Sequence, residues 1–180
     1  MKSTRLSQVR KLNIEIKARC NQPDLIRNIL QARGAVFQGR DHQIDTYFNV
    51  PDGRLKVREG DIEKALIFYH RPDQAAAKRS DVLLYPAVNP GELKQVLQAA
   101  LGIKVVVDKL REIFWLDNIK IHLDQVRNLG SFVEIEAMDQ DARFSAMELE
   151  RQCRDLAGLF SIRTADLIDR SYSDLILEKP

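Results

Sequence analysis

Four short stretches of this chain alternate between apolar residues and residues that are mostly ionisable. In 13–20 (NIEIKARC), Ile14, Ile16, Ala18 and Cys20 alternate with Asn13, Glu15, Lys17 and Arg19. In 54–59, Leu55 and Val57 alternate with Arg54, Lys56 and Arg58; in 119–124, Ile119, Ile121 and Leu123 alternate with Lys120, His122 and Asp124; in 132–137, Val133, Ile135 and Ala137 alternate with Phe132, Glu134 and Glu136. A period of two belongs to the β-strand, whose successive side chains point to opposite faces. Each stretch is therefore expected as a strand with one oily and one ionic face. The run 103–117 adds Lys109 and Arg111 on a single face, and HQIDTYF (42–48) places Asp45 and Tyr47 together.

An antiparallel sheet with one wet face would produce alternation without any site. The distribution of charge argues for more. Cations recur at i and i+2, as Lys17 with Arg19, Lys56 with Arg58 and Lys109 with Arg111, and carboxylates recur as Glu134 with Glu136. Like charges on one strand face repel unless opposite charge lies between them. Closing the sheet with its ionic face inward gathers all these groups around one lumen and leaves the oily face for helices. The expected fold is α+β, a closed or nearly closed antiparallel β-barrel with a charged lumen and helices packed outside. Stacked lysines and arginines match the oxygens of a phosphate chain, and paired carboxylates match hard divalent ions such as Mg²⁺ or Mn²⁺.

Two segments begin with Pro and end at Gly, 23–34 and 90–102, and carry ILQA and VLQA at matching places. Both read as helices followed by a long strand, a turn at Asp52-Gly53 or Asp117-Asn118, and another strand. The chain thus resembles two related halves. Residues 71–81 (RPDQAAAKRSD) read as a flap, and 82–88 as a strand. Met147, Leu149, Cys153, Leu156 and Phe160 mark a late helix, with Thr164 the cap of another through Leu167 and Ile168. One domain over 1–180 is expected, with 1–11 a flexible extension. A net charge of +2 excludes wrapping of nucleic acid by charge alone, and two cysteines without metal or redox spacing suit a reducing cytoplasm. The first eleven residues lack the apolar core of a signal peptide, and no run of about 18 apolar residues offers a membrane span. Exposed strand edges or helices are compatible with a homodimer.

The stretch NIEIKARC resembles the N-terminal Glu-x-Glu-x-Lys motif of the CYTH proteins, or triphosphate tunnel metalloenzymes. The resemblance continues through DTYF (45–48), LKVRE (55–59), YHRP (69–72), KLREIF (109–114), IHLDQVRNLGSFVEIE (121–136) and SYSDLI (171–176). It is strongest toward the class IV adenylyl cyclase branch. The resemblance implies that Glu15, Glu134, Glu136 and Asp124 hold metal, Mg²⁺ or Mn²⁺, and that Asp124 and Glu136 serve the catalytic step. It further implies that Lys17, Lys56, Arg58, Arg71, Lys109 and Arg111 bind the phosphates of ATP or another triphosphate. One position departs: Asn13 stands where the motif has its first Glu, giving a neutral amide oxygen in place of a carboxylate. The function implied is conversion of ATP to cyclic AMP and pyrophosphate. Hydrolysis of an inorganic or organic triphosphate, and binding of a nucleotide or polyphosphate without turnover, are the alternatives.

Overall fold

The computed structural model describes residues 12–70, 78–79, 81–139 and 143–179. The alternating stretches form strands as their period dictates. They are β1 (Leu12–Arg19), β2 (Val36–Phe48), β3 (Arg54–Glu59), β4 (Ala65–His70), β5 (Lys78–Arg79), β6 (Asp81–Pro86), β7 (Ile103–Leu116), β8 (Ile119–Val126) and β9 (Gly130–Asp139). All join one sheet in the order β5-β1-β9-β8-β7-β2-β3-β4-β6, and every pairing is antiparallel. The strands at the two ends of this order, β5 and β6, are separated in the chain by one residue. Since consecutive Cα atoms lie about 3.8 Å apart, that short link draws the sheet's two edges together and curls it into a nearly closed barrel.

Helices α1 (Pro23–Ala32), α2 (Pro90–Leu101), α3 (Ala146–Leu159) and α4 (Tyr172–Leu177) lie outside the sheet. Both Pro-led helices start where proline's fixed φ and missing N–H cost nothing. The sheet order carries the two-half pattern. Strand β1, helix α1 and strands β2, β3 and β4 have their counterparts in β6, α2, β7, β8 and β9, and the order reads alike from either side of the β2/β7 pair. The two Pro-led helices differ in what they cover. Where β1 of the first half meets β9 and β8 of the second, Ile14, Ile16, Ala18, Ile121, Val133, Ile135 and Ala137 form a buried core with Ile26 and Leu30 of α1 and Leu149, Cys153 and Leu156 of α3. Helix α2 buries none of its residues fully.

The C-terminal segment departs from the expected helix. Thr164–Asp166 makes only a 3₁₀ turn, and Leu167 is extended, bridging to Ala18, while the Ile168 N–H donates to the Lys17 carbonyl at 2.8 Å. Pairing with β1 wins over helix propagation there. Helix α4 begins instead at Ser171, whose hydroxyl accepts from the Asp174 N–H while the Asp174 carboxylate accepts from the Ser171 N–H, a reciprocal cap. Met147 of α3 faces solvent rather than the core.

Candidate functional site

The registers decide which charges meet. Asp45 pairs with Arg58 across β2/β3, Arg111 with Asp124 across β7/β8, His122 with Glu134 across β8/β9, and Lys17 with Glu134 and Glu15 with Glu136 across β1/β9. Strand alternation then turns Lys17, Lys56, Arg58, Lys109, Arg111, Asp124, Glu134 and Glu136 toward the lumen together. All except Glu136, which is half-buried, are buried. Arg71, a further phosphate candidate, lies outside the described residues.

On one wall three cations converge on a single carboxylate. Asp45 accepts from Lys56 Nζ at 2.7 Å, Lys109 Nζ at 2.9 Å, and Arg58 Nε and Nη2 at 2.8 and 2.9 Å. Burial alone would raise the Asp45 carboxyl, but the charges of Arg58, Lys109 and Lys56 outweigh it and hold the group well below the usual carboxylate range. Positive charge is left in surplus there. Burial, helped by the charges of Arg58, Arg111 and Lys56, pushes the Lys109 ammonium down to about 7 against the pull of Asp45. Glu63, from the loop between β3 and β4, reaches across the lumen to Arg58 at 2.7 Å and Lys120 at 2.5 Å. Its loop is fixed by Asp41, which accepts from the Ile62 and Glu63 N–H groups at 2.8 and 3.1 Å.

The opposite wall is acidic. Arg111 forks onto Asp124 at 2.7 and 2.5 Å and reaches Glu134 at 2.7 Å; Lys17 meets the other Glu134 oxygen at 3.0 Å. Burial raises the Glu134 carboxyl, but Lys17, Arg111 and His122 hold it well below its ordinary value. Tyr172 at the start of α4 donates to Asp124 at 2.9 Å, and its ring lies 4.1 Å from Lys17 Nζ. Glu136 and His122 complete a group with Glu134 in which each residue offers one ligand atom within 4.8 Å of the others. Among the described residues, His122 Nε2 on this wall is buried without a hydrogen-bond partner, as is Asn13 Oδ1, whose residue pairs in register with Met138 beyond Glu136. A buried acceptor left open beside carboxylates is what a metal or a bound ligand would satisfy, so the residues present fit a divalent ion.

Several members of this arrangement escape a reading of the sequence. Asp45 was visible only as a face-mate of Tyr47, Glu63 sits in a loop without periodicity, and Tyr172 and Lys120 carried no assigned role. A separate cleft of about 280 Å³ is lined by Asp52, Gly53, Arg54, His70, Lys104 and Asp174 and by none of the acidic-wall residues.

The depressed Lys109 yields a pH prediction. A polyanion beside this ammonium would raise its pKa above about 7. Binding above that pH must then take up a proton, and affinity should fall by up to about tenfold per pH unit as pH rises beyond it. Calorimetry of tripolyphosphate at pH 8 in two buffers of different ionisation enthalpy should register that uptake. Equal heats in both buffers would remove Lys109 from the binding equilibrium.

Comparison with known proteins gives a consistent result. The CYTH domain profile matches residues 11–172. A protein of Methanocaldococcus jannaschii described as putative adenylate cyclase MJ0240 is 26% identical over 175 residues, covering 91% of this chain and 98% of that protein. Among solved structures, the PH1012 protein of Pyrococcus horikoshii OT3 superposes with a TM-score of 0.80 at 24% identity, covering 91% of this chain and 98% of its own. A structure from Hippeastrum, described as a putative adenylyl cyclase with a dominant triphosphatase activity, matches with a TM-score of 0.61 at 13% identity, over 92% and 94% of the two chains.

Proposed function

The chain belongs to the CYTH domain family, and from that premise we propose that it is a metal-dependent enzyme that takes ATP into its lumen and converts it to cyclic AMP and pyrophosphate. The observation that carries this is the convergence of Lys56, Arg58 and Lys109 on Asp45, with Glu63 reaching only Arg58 of the three, a buried surplus of positive charge that a phosphate chain would neutralise. Arg111 and Lys17 face the same space from the neighbouring walls and extend the row of donors along the chain.

In cyclisation the ribose 3′ oxygen attacks the α-phosphorus and the bond to the β-phosphate bridging oxygen breaks, releasing pyrophosphate. Negative charge grows on the leaving oxygens, and the forked donors of Arg58 and Arg111 with the Lys56 and Lys109 ammoniums stabilise it. A divalent ion, Mg²⁺ or Mn²⁺, held by Glu15, Glu134 and Glu136 with Asp124 beside them, would supply Lewis-acid neutralisation of phosphoryl charge. Asp124 also keeps the Arg111 fork in place, itself anchored by Tyr172.

The inward row of β4 and β6 favours a nucleotide over bare tripolyphosphate. Registers set Lys56 beside Ile67 and Ile67 beside Leu84, so the buried Ala65 and Ile67, continued by the exposed Val82 and Leu84, form an apolar strip next to the cations, suited to a nucleoside. A triphosphatase, in which water attacks the terminal phosphorus, would use the same lumen; that activity is the one named for the Hippeastrum relative. Incubation of ATP with Mn²⁺ or Mg²⁺ followed by product chromatography tests the proposal. Cyclic AMP and pyrophosphate in equal amounts are expected. Inorganic phosphate from ATP and tripolyphosphate alike would replace cyclase with triphosphatase, and absence of turnover would overturn both.

A further inference from the structure

The carboxylates of the acidic wall do not stand alone. The imidazole of His122 is buried and turned into them, with Nδ1 3.4 Å from Glu134 Oε2 and 3.6 Å from Glu136 Oε1. With metal–ligand bonds of about 2.1 Å, two ligand atoms lie about 3.4 Å apart on a tetrahedral edge and about 3.0 Å apart on an octahedral one. Both separations from Nδ1 fall on the tetrahedral side. Nδ1 is thus the ring nitrogen turned to the carboxylates, while Nε2 is buried without a hydrogen-bond partner among the described residues, so no other protein group fixes the imidazole from its far side.

We infer that His122 is a nitrogen ligand to the metal held by Glu134 and Glu136, and that it biases this site toward first-row transition ions over Mg²⁺. The chemistry of the donor set supports this. Mg²⁺ demands near-octahedral oxygen ligation and keeps its waters, whereas imidazole suits transition ions. The remaining lone pairs of Glu134 suffice for a metal, because Lys17 and Arg111 each occupy a different oxygen and Arg111 is held jointly by Asp124. The other two histidines cannot substitute for His122: His42 pairs with Asp108 at 2.8 Å on the outer face, and His70 lies 3.6 Å from Asp52.

This inference rests on the reading that the lumen carboxylates hold metal, and the test separates the two. Mn²⁺ is added to the full chain with tripolyphosphate, which has no nitrogen, and the bound ion is studied by pulsed electron paramagnetic resonance with natural-abundance and [¹⁵N]histidine-labelled protein. Nitrogen coupling of a ligated imidazole is expected, changing to the ¹⁵N pattern on labelling. In His122→Ala and His122→Gln, the ratio of Mn²⁺ to Mg²⁺ affinity should fall by about tenfold or more, at least the cost of losing a group that merely supports a ligand. Mn²⁺ that is lost in Glu136→Gln but shows no histidine coupling in the wild type overturns the ligand and leaves the carboxylate site standing. Mn²⁺ that binds equally well in Glu136→Gln, or does not bind the wild type, overturns both. Because the coupling is read on the wild type, the outcome stands even where a variant fails to fold.

Discussion

Glu136→Ala should leave a folded barrel that no longer turns over a triphosphate. Glu136 is half-buried at the open side of the acidic wall, its carboxylate 3.6 Å from His122, and it pairs in register with Glu15 and Lys120. The outward neighbours Ile135 and Ala137 make the core contacts, so truncating Glu136 removes charge from the lumen without opening a cavity beneath α3. If it is a metal ligand, the loss removes a charge stabiliser present throughout phosphoryl transfer, worth about a hundred- to thousandfold in turnover. Thermal unfolding of wild type and variant should nearly coincide. A variant with undiminished, metal-dependent activity would exclude Glu136 from the site.

The second large effect is on stability. Asp45→Asn deprives three buried cations of their shared counter-charge, and breaking a buried ion pair by removing one partner costs about 3–5 kcal/mol. The same surplus of positive charge should make the variant respond more strongly than the wild type to an added polyanion. Denaturant unfolding with and without tripolyphosphate checks both parts: a large loss in its absence, and a larger recovery in the variant than the gain in the wild type. Equal stability of the two proteins would mean that the cations are neutralised elsewhere, and the positive wall would lose its significance as an anion site.

What could be read ahead of the structure follows from what a period of two encodes. Alternation fixes which residues of β1, β3, β8 and β9 share a face, and the recurrence of cations and carboxylates on that face argues for an enclosed lumen. Alternation does not encode register. That Asp45 receives Lys56, Arg58 and Lys109 depends on β2 pairing with β3 on one side and β7 on the other, with Asp45 opposite Arg58 and Val107. Nothing local distinguishes Asp45 from Asp41 or Asp108. Glu63 was equally hidden, because a loop side chain reaching across a barrel leaves no period. The charge pairs at i and i+2 lack partners along their own strands, and much of their compensation comes from Asp45, Asp124 and Glu134 on other strands. His122 was legible only as a lining group, since its relation to Glu134 and Glu136 is a cross-strand contact of β8 with β9.

The most direct test of the central claim is a crystal structure of the chain with Mn²⁺ and a non-cyclisable ATP analogue. The phosphate chain should lie in the lumen on Lys56, Arg58, Lys109 and Arg111, with the metal against Glu134 and Glu136. Phosphates bound instead in the separate cleft, on Arg54, His70 and Lys104, with the ion pairs of Asp45 intact, would contradict it.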